Sequence, residues 1–469
     1  MITPILKYHI RMYVSILLLS IAHTAFGNFL SQNSRHDPYP MHTTRDPHHF
    51  LYVHERLDLK GYNSELTTIE KIGLGLSVWG QNADSAKDIH KKTISPGNLD
   101  GKWSMIGLLL GDTPSGKTLP ASLQAAISGI YPTETPPIND PNKIDPNQQC
   151  GFFDVQTEYR NRGFRFDWSA QIWGDIGFML EGGLSDICYS ITAFNDLTCN
   201  ASNWCDCSSD SSNGYVCPKP EVEQFLMCKL KTIAQEIGLD IKDYHRNALE
   251  DFRFHLYWRH AYPINYGNDE DWPELLLMPF FVLSGSAATG TQKNPNKAFS
   301  LSSGNNGHNA VGFTAGLTLD FIDTIEIGAE GGFTHFFEKD FYKYRVPNSL
   351  CQSGIYPFTS DVCINPGHNW HFVATMNAHH FINRLSFYFQ YVIVQHQRDQ
   401  IKLKNCSNDT AFKPELLECI SDWKFQAANM GFNYDISPHI SIGFLWQAPL
   451  QQQRVFRNST LMFSFNATY

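Results

Sequence analysis

Apolar and polar residues alternate one by one in twelve segments between residue 67 and the end of the chain. In one of them, Val311, Phe313 and Ala315 alternate with glycines and threonines. A period of two places successive side chains on opposite faces of a β-strand. A slip of phase near Ala427 indicates a bulge. The pattern predicts strands over 67–81, 162–173, 176–188, 251–262, 275–286, 311–319, 325–333, 370–380, 384–397, 421–434, 439–448 and 458–469.

The connections between these segments alternate between mostly short and long. This alternation is typical of outer-membrane barrels, which have tight periplasmic turns and long surface loops. An even number of strands places both chain ends on the periplasmic side. The short connections are 174–175, 263–274, 321–324, 381–384 and 435–438, and the long ones are 82–150, 190–248, 287–309, 339–369, 398–420 and 449–457.

The two faces of the predicted strands differ in a way that favours a membrane barrel. One face is bulky and apolar for about ten residues, close to the ~9–11 residues that a tilted strand needs to cross the hydrocarbon layer. The other face carries mainly Gly, Ser, Thr, Gln, Asn and Tyr. Because an open sheet edge is too costly in lipid, the sheet must close. The predicted fold class is all-β, a closed antiparallel transmembrane β-barrel of about 12 strands. A secreted all-β protein with core aromatics remains the alternative.

The last strand alternates up to the final residue, through Leu461, Phe463, Phe465, Ala467 and Tyr469. It resembles the terminal strand of Gram-negative outer-membrane β-barrels of the porin-like type, and by pattern the resemblance covers 67–469. It implies a bacterial outer-membrane location, contact with membrane lipid and recognition by the outer-membrane assembly machinery. Aromatic residues near strand ends suit the interfacial belts of such barrels: Trp173, Tyr262, Trp370, Trp423, Tyr434 and Tyr469.

The N-terminus predicts export. Lys7 and Arg11 flank the start of an apolar run over 13–22, and Ala25 and Gly27 supply the small residues of a cleavage site. The sequence therefore predicts a signal peptide over 1–27, a mature chain beginning at Asn28 and a flexible polar periplasmic segment over 28–66. Beyond the signal, no apolar stretch approaches the roughly 20 residues of a membrane helix.

Composition narrows the class of partner. The net charge of -10 argues against a basic nucleic-acid binder, and 42% hydrophobic residues argue against a disordered chain.

The eleven cysteines suit an oxidising compartment. Their spacing predicts disulfides Cys351–Cys363 and Cys406–Cys419 in surface loops. The pairing of the others stays open: Cys150, Cys188, Cys199, Cys205, Cys207, Cys217 and Cys228. No metal or cofactor site is predicted.

One motif in the first long connection suggests nucleotide binding. Residues 111–118 match the phosphate-binding pattern of glycine, four residues, glycine, lysine and threonine. The export signal and the absence of alternating strands and helices favour a turn in a surface loop instead. A second loop segment, Glu221 to Ile237, predicts a small helix from its apolar periodicity.

The leading functional prediction is a porin-like barrel for passive diffusion of small hydrophilic solutes. Basic and acidic residues on separate stretches of wall would give a transverse field. Alternatives are a surface structural or adhesive barrel with cysteine-bearing loops, resembling chlamydial-type cysteine-linked proteins, and a barrel hydrolase, for which His260, His335 and His380 lack a nucleophile at motif spacing. An enzyme is not predicted, and a homo-oligomer stays open. The predicted pore-lining residues are Lys71, Arg165, Asp167, Glu181, Arg253, Arg259, Glu326, Glu330 and Lys424.

Overall fold

The computed structural model describes residues 72–109, 111–130, 151–173, 175–197, 220–264, 275–321, 325–382, 384–404, 410–437 and 439–468. The predicted signal peptide over 1–27 and the segment over 28–66 lie outside these residues. So do Lys71, Cys406 and Tyr469.

Twelve antiparallel strands close into a barrel, as the alternation predicts. The first strand is hydrogen-bonded to both the second and the last, so the sheet has no first or last edge. Closure satisfies the backbone groups that an edge would expose to lipid. The strands are β1 (Ile72–Ala83), β2 (Phe152–Trp173), β3 (Ile176–Asp196), β4 (Phe252–Arg259), β5 (Leu275–Ala287), β6 (Ala310–Phe321), β7 (Ile325–Phe336), β8 (Asn369–Ile382), β9 (Leu385–His396), β10 (Trp423–Ser437), β11 (Ile440–Gln453) and β12 (Ser459–Thr468).

The outer face of the barrel is apolar and its inner face is polar. On the outside, Leu76 is 47% exposed and Phe463 is 57% exposed, whereas on the inside Ser77 is only 3% exposed. Exposed apolar rows of this kind are stable only in contact with lipid. None of the helices within the described ranges is long and apolar enough to cross a membrane.

Two of the bulges in the described strands change the inner wall. Gln426 pairs with Gln451 while Ala427 pairs with Pro449, so Leu450 of β11 is the extra residue of a bulge. A bulge thus lies at the predicted level, but on the partner strand. β10 itself keeps one phase, because its odd-numbered residues from Trp423 to Asp435 all face inward. A second bulge precedes β4, because the short strand Tyr244–Leu249 and β4 both pair with β3 in registers that differ by one residue. The extra residue of this second bulge lies within 250–251.

The hairpin of β2 and β3 rises beyond the other strands. These strands have 22 and 21 residues, whereas β1 and β6 have 12 each. The predicted strand 162–173 is therefore only the lower half of β2. The inner face of the upper half, including Val155 and Tyr189, is buried against the loops of the same barrel end.

The long loops fold together into one body, which we call the cap (residues 84–109, 111–130, 220–243, 288–309, 337–368, 397–404, 410–422 and 454–458). One apolar core joins the first, second, third, fourth and sixth loops to the β2–β3 hairpin. A second core joins the fourth and fifth loops. Leu119 of the first loop packs against both cores.

The cap has its own secondary structure, which the alternation does not predict. Lys339–Val346, Phe358–Asn365 and Gln400–Leu403 form a three-stranded sheet, and Ala86–Lys87, Thr93–Ile94 and Val455–Phe456 form another. Trp103–Ser104 and Tyr262–Ile264 add short strands to the barrel sheet. The helices are α1 (Ala121–Ile130), α2 (Pro220–Cys228), α3 (Leu230–Glu236) and α4 (Pro414–Cys419), with 3-10 turns at Pro96–Asn98 and Ile106–Leu109. The single helix predicted over 221–237 is thus two helices that meet at Lys229.

Trp423 corrects one part of the predicted aromatic belts. Its side chain is 2% exposed and packs with Phe425 in an inner apolar cluster, away from the membrane surface. Trp173, by contrast, is 80% exposed beside the turn between β2 and β3, and Trp370 is 44% exposed at the opposite end of the barrel.

The lipid-facing assignment predicts a depth-dependent cost. Leu76→Arg, near the middle of β1, should lower the free energy of unfolding in lipid vesicles by about 2–4 kcal/mol, because the charge enters the hydrocarbon layer. Ile72→Arg, at the end of β1 that lies away from the cap, is the matched control and should cost about 0–1 kcal/mol. Equal losses, measured by denaturant titration, would contradict the assignment.

Candidate functional site

The bulge before β4 builds a charged cluster on the inner wall. It turns two consecutive residues inward, so that Glu250 is 7% and Asp251 is 1% exposed. Arg165 of β2 donates two hydrogen bonds to the Glu250 carboxylate, from Nε at 2.6 Å and from Nη2 at 3.1 Å. The Arg165 guanidinium also lies 4.7 Å from the ring centroid of Trp79. This bidentate pair fixes the orientation of both side chains.

A second pair continues the cluster across β3 and β4. Arg253 donates to Glu181 at 3.3 Å, and His255 Nε2 lies 3.6 Å from the other oxygen of the same carboxylate. Asp167 lies beside them, over Gly75. A side chain at position 75 would collide with the Asp167 carboxylate. The structure thus brings together four predicted residues, Arg165, Asp167, Glu181 and Arg253.

This arrangement corrects the predicted transverse field. Asp167 is the register partner of Glu181, and Glu181 is the register partner of Arg253. Residues paired across strands on one face lie about 4.5–5.5 Å apart. Acidic and basic groups are therefore neighbours on this wall, where the prediction separated them.

A second acidic group lines the inner face of β6 and β7. Asp320 is 0%, Glu326 is 2% and Glu330 is 3% exposed, and Asp320 is the register partner of Glu326. We call these three residues the acidic wall. Two of them, Glu326 and Glu330, are predicted pore-lining residues.

The three remaining predicted pore-lining residues have different outcomes. Arg259 has an inner-face position on β4, with Nη2 3.4 Å from the sulfur of Met278. Lys424 alternates with the inward Trp423 and Phe425 and therefore belongs to the outward-facing set of β10, which corrects its assignment to the lumen. Lys71 lies outside the described residues.

Below the level at which the cap core packs against β2 and β3, carboxylates outnumber arginines on the inner face of the described strands and the bulge. There are eight carboxylates and three arginines. The set is Asp167, Glu181, Glu250, Asp251, Asp320, Glu326, Glu330 and Asp435, against Arg165, Arg253 and Arg259. The sequence does not predict Glu250 and Asp251 as inner-face residues, because a bulge breaks the period of two at the edge of the predicted strand.

Ser284, His255 and Glu181 form a row that resembles a nucleophilic triad. Ser284 Oγ lies 2.9 Å from His255 Nδ1. The Ser284 side chain is 0% exposed, and β5 is paired on both sides at this level. The neighbouring backbone N–H groups are therefore committed to the sheet and do not form the donor pair that acyl transfer requires. The contact between Ser284 and His255 is therefore a structural hydrogen bond within the barrel wall.

The histidines considered for catalysis have other partners. His260 bonds Asp175 at 2.7 Å beside the β2–β3 turn, and His335 Nδ1 lies 3.2 Å from His368 Nδ1. The side chain of His380 lies outside the described part of the chain. Within that part, no group of three His, Cys, Asp or Glu residues could hold a metal ion.

Arg345 ties three loops of the cap together. It is 8% exposed and donates to the carbonyl oxygens of Pro295 at 2.9 Å, Tyr356 at 3.0 Å and Ile237 at 2.8 Å. Burial lowers the pKa of Arg345 to about 10, so it stays charged at neutral pH. Its planar group of donors suits this role, since one side chain satisfies three buried carbonyls.

An aromatic column runs through the core of the cap. Trp103 stacks on Phe299 with ring centroids 5.6 Å apart, Phe299 on Tyr189 at 5.6 Å, and Tyr189 on Phe456 at 5.9 Å. These four residues belong to the first loop, the third loop, β3 and the sixth loop. The column fastens the cap to the inner face of the barrel wall.

The segment 111–118 is a turn in the cap, as the sequence favours. Lys117 is exposed, and its backbone N–H bonds the carbonyl of Pro114 at 3.0 Å. At the start of the following helix α1, the backbone N–H and hydroxyl of Ser122 donate to the Glu236 carboxylate at 2.9 and 2.8 Å. The start of α1 is thus bonded to a carboxylate of the chain itself.

The predicted disulfide Cys351–Cys363 does not form, and neither cysteine is part of a disulfide. The hairpin that contains them ends at the pair Val346–Phe358, so Cys351 lies in the turn while Cys363 lies five residues into the strand. That is roughly 16 Å of strand, whereas disulfide Cα atoms lie within about 7 Å. Cys419 is also free and exposed at the end of α4, and its predicted partner Cys406 is outside the described residues.

Comparisons with known proteins give outer-membrane barrels of low similarity. No family model matches the chain, and no curated protein matches it. An outer-membrane channel of Pseudomonas putida F1 is 8% identical with a TM-score of 0.45, covering 86% of this chain and 97% of that one. The translocator domain of the autotransporter NalP from Neisseria meningitidis is 6% identical with a TM-score of 0.31, covering 89% and 95%. A FadL homologue of Pseudomonas aeruginosa is 10% identical with a TM-score of 0.28, covering 95% and 99%.

Removal of the Arg345 guanidinium should loosen the cap without opening the barrel. Arg345→Met leaves three carbonyls without their donor, at a cost of roughly 1–3 kcal/mol for each group left buried and unpaired. We expect new protease cleavage within 288–309 and 337–368 and unchanged heat-modifiable migration. Arg160→Met, which removes a side chain that is 73% exposed, is the control. An unaltered digestion pattern would contradict the role of Arg345.

Acidification should weaken the cap through His308. This side chain is 2% exposed and donates from Nδ1 to the carbonyl of Phe337 at 2.8 Å. Burial, together with the nearby Lys339 ammonium, lowers the pKa of His308 from 6.5 to about 4. Because the unfolded loop binds the proton more readily, the stabilisation is complete above pH 6.5 and is lost as the pH falls toward 4.

Hydrogen exchange of residues 288–309 measures this loss. We expect protection to fall between pH 6.5 and pH 4.5 in the native chain and to fall less in His308→Gln. The same pH dependence in both proteins would show that another group is responsible.

Proposed function

We propose that the chain is an outer-membrane channel through which small hydrophilic solutes diffuse passively, with a preference for cations. The observation that carries this proposal is the excess of carboxylates over arginines on the inner face. A wall of one charge sign attracts counter-ions and repels co-ions, most strongly where low-dielectric protein surrounds it. The polar inner face supplies a path that hydrated solutes tolerate.

The proposal includes the route to the membrane. The chain would be exported by the signal peptide over 1–27, and the strand ending at Tyr469 would be recognised by the assembly machinery. The barrel end at which β2 meets β3, β6 meets β7 and β10 meets β11 would then face the periplasm, and the cap would face outward.

The cap makes this channel narrower at its outer end than an open porin. Its first core packs against the inner faces of β2 and β3, and Val455 of the sixth loop packs against inner-face residues of β8, β9 and β10. Twelve strands already enclose a smaller bore than the 16–18 strands of general porins. We therefore expect small single-channel currents.

Conductance across a planar bilayer tests the proposal. In a KCl gradient, the reversal potential should indicate cation preference, and Glu326→Gln with Glu330→Gln should move it toward zero. Glu158→Gln is the matched control, because it removes a carboxylate that is 44% exposed on the outward face of β2. Anion preference, or a wall variant that behaves as the native protein does, would refute the proposed selectivity.

A surface structural or adhesive barrel is the second candidate, and the cap is the observation that favours it. Six loops that share two apolar cores present a rigid outer surface, as a docking protein requires. Cys228 and Cys419 are exposed there and are free to link neighbours. Folded protein that carries no current with or without reductant, but forms reductant-sensitive oligomers, would favour this role over the channel.

A further inference from the structure

Three oxygen-bearing side chains lie side by side at the periplasmic end of the inner wall. Glu326 of β7 is paired in register with Asp320 of β6 on one side and with Asn377 of β8 on the other. They are 2%, 0% and 3% exposed, respectively. Since directly paired residues have Cβ atoms about 4.5–5.5 Å apart, the two carboxylates and the amide can reach a common point.

The amide oxygen of Asn377 points independently to a ligand. It is buried on the inner face beside Glu326 and has no hydrogen-bond partner among the described residues. A buried side-chain oxygen without a partner costs free energy, because it has lost its hydration. A bound cation would satisfy this oxygen, since an amide oxygen is a good ligand for hard metal ions.

Two hydroxyls extend the oxygen set by one row. Thr318 and Thr375 flank Gly328 in register. A Cβ placed on Gly328 would lie 2.7 Å from Thr375 Oγ1 and 3.2 Å from Thr318 Oγ1. The missing side chain therefore lets both hydroxyls converge over β7, next to Glu326.

From this row we infer a binding site for a hard divalent cation of the Ca²⁺ or Mg²⁺ class, formed by Asp320, Glu326 and Asn377 with the Thr318 and Thr375 hydroxyls. All five groups offer oxygen, which these ions prefer over nitrogen and sulfur. Two carboxylates directly opposite one another repel, and a divalent ion between them balances both charges. The inference deepens the proposed cation preference and rests on it for the route by which the ion enters.

Direct binding of Ca²⁺ to the folded barrel in detergent tests the site. We expect saturable binding of one ion per chain by calorimetry. Asp320→Asn with Glu326→Gln should weaken the affinity at least about tenfold, because affinity follows the number of charged ligands. Asn377→Ala keeps every charge and should still weaken binding several-fold. β-rich circular dichroism and heat-modifiable migration establish that each variant is folded.

Asp435→Asn is the matched control. This carboxylate also faces inward at the periplasmic end, but its register partner is Ser441. Its removal should leave the affinity for Ca²⁺ unchanged. An equal loss in Asp435→Asn, or full affinity in Asn377→Ala, would show diffuse attraction and overturn the site.

The two proposals fail separately. A folded protein that conducts cations but binds no Ca²⁺ overturns the site and leaves the channel in place. A protein that binds Ca²⁺ with the expected variant pattern but carries no current supports the site and refutes the channel.

Discussion

Backbone hydrogen bonding in lipid is the constraint on which the rest of this structure depends. An unpaired N–H or C=O group in the hydrocarbon layer costs several kcal/mol, so the strand from 72 to 83 must pair on both sides, with its sequence neighbour β2 and with the last strand of the chain. Once the sheet closes, every second side chain is committed to lipid and every other one to the interior. The position of each wall charge follows from that division and from the register.

The alternation of residues was enough to predict the barrel, because its period is set by the same two-sided environment. All twelve strands occur where the pattern indicates. The bulge predicted near Ala427 lies opposite that residue, in β11, and the apolar pattern of β10 changes face there because Trp423, Phe425 and Ala427 form an inner apolar cluster. The prediction was wrong where the two faces were not chemically distinct. Lys424 follows an inward tryptophan, so polarity alone assigned it to the lumen, although its register places it outside.

The charged cluster and the cap depend on contacts that a periodic pattern does not encode. Glu250 reaches Arg165 because a bulge adds one residue, and the partners are 85 positions apart. The loops lack a sustained period because their apolar residues pack in three dimensions around Trp103 and Phe299 rather than along one face. The spacing of the cysteines predicts a disulfide that does not form. The spacing does not show that part of a strand separates Cys351 from Cys363.

The composition of the cap core also bears on biogenesis. Its aromatic column contains four rings. One ring comes from the first loop, one from the third loop, one from β3 and one from the sixth loop, which follows β11. No single hairpin contains enough of these partners to fold by itself, so the core forms only after the ends of the chain have met. The loops therefore reach their packed positions only after the barrel has closed. Contacts so distant in sequence are slow to form, which makes packing of the cap a step kinetically distinct from closure of the barrel.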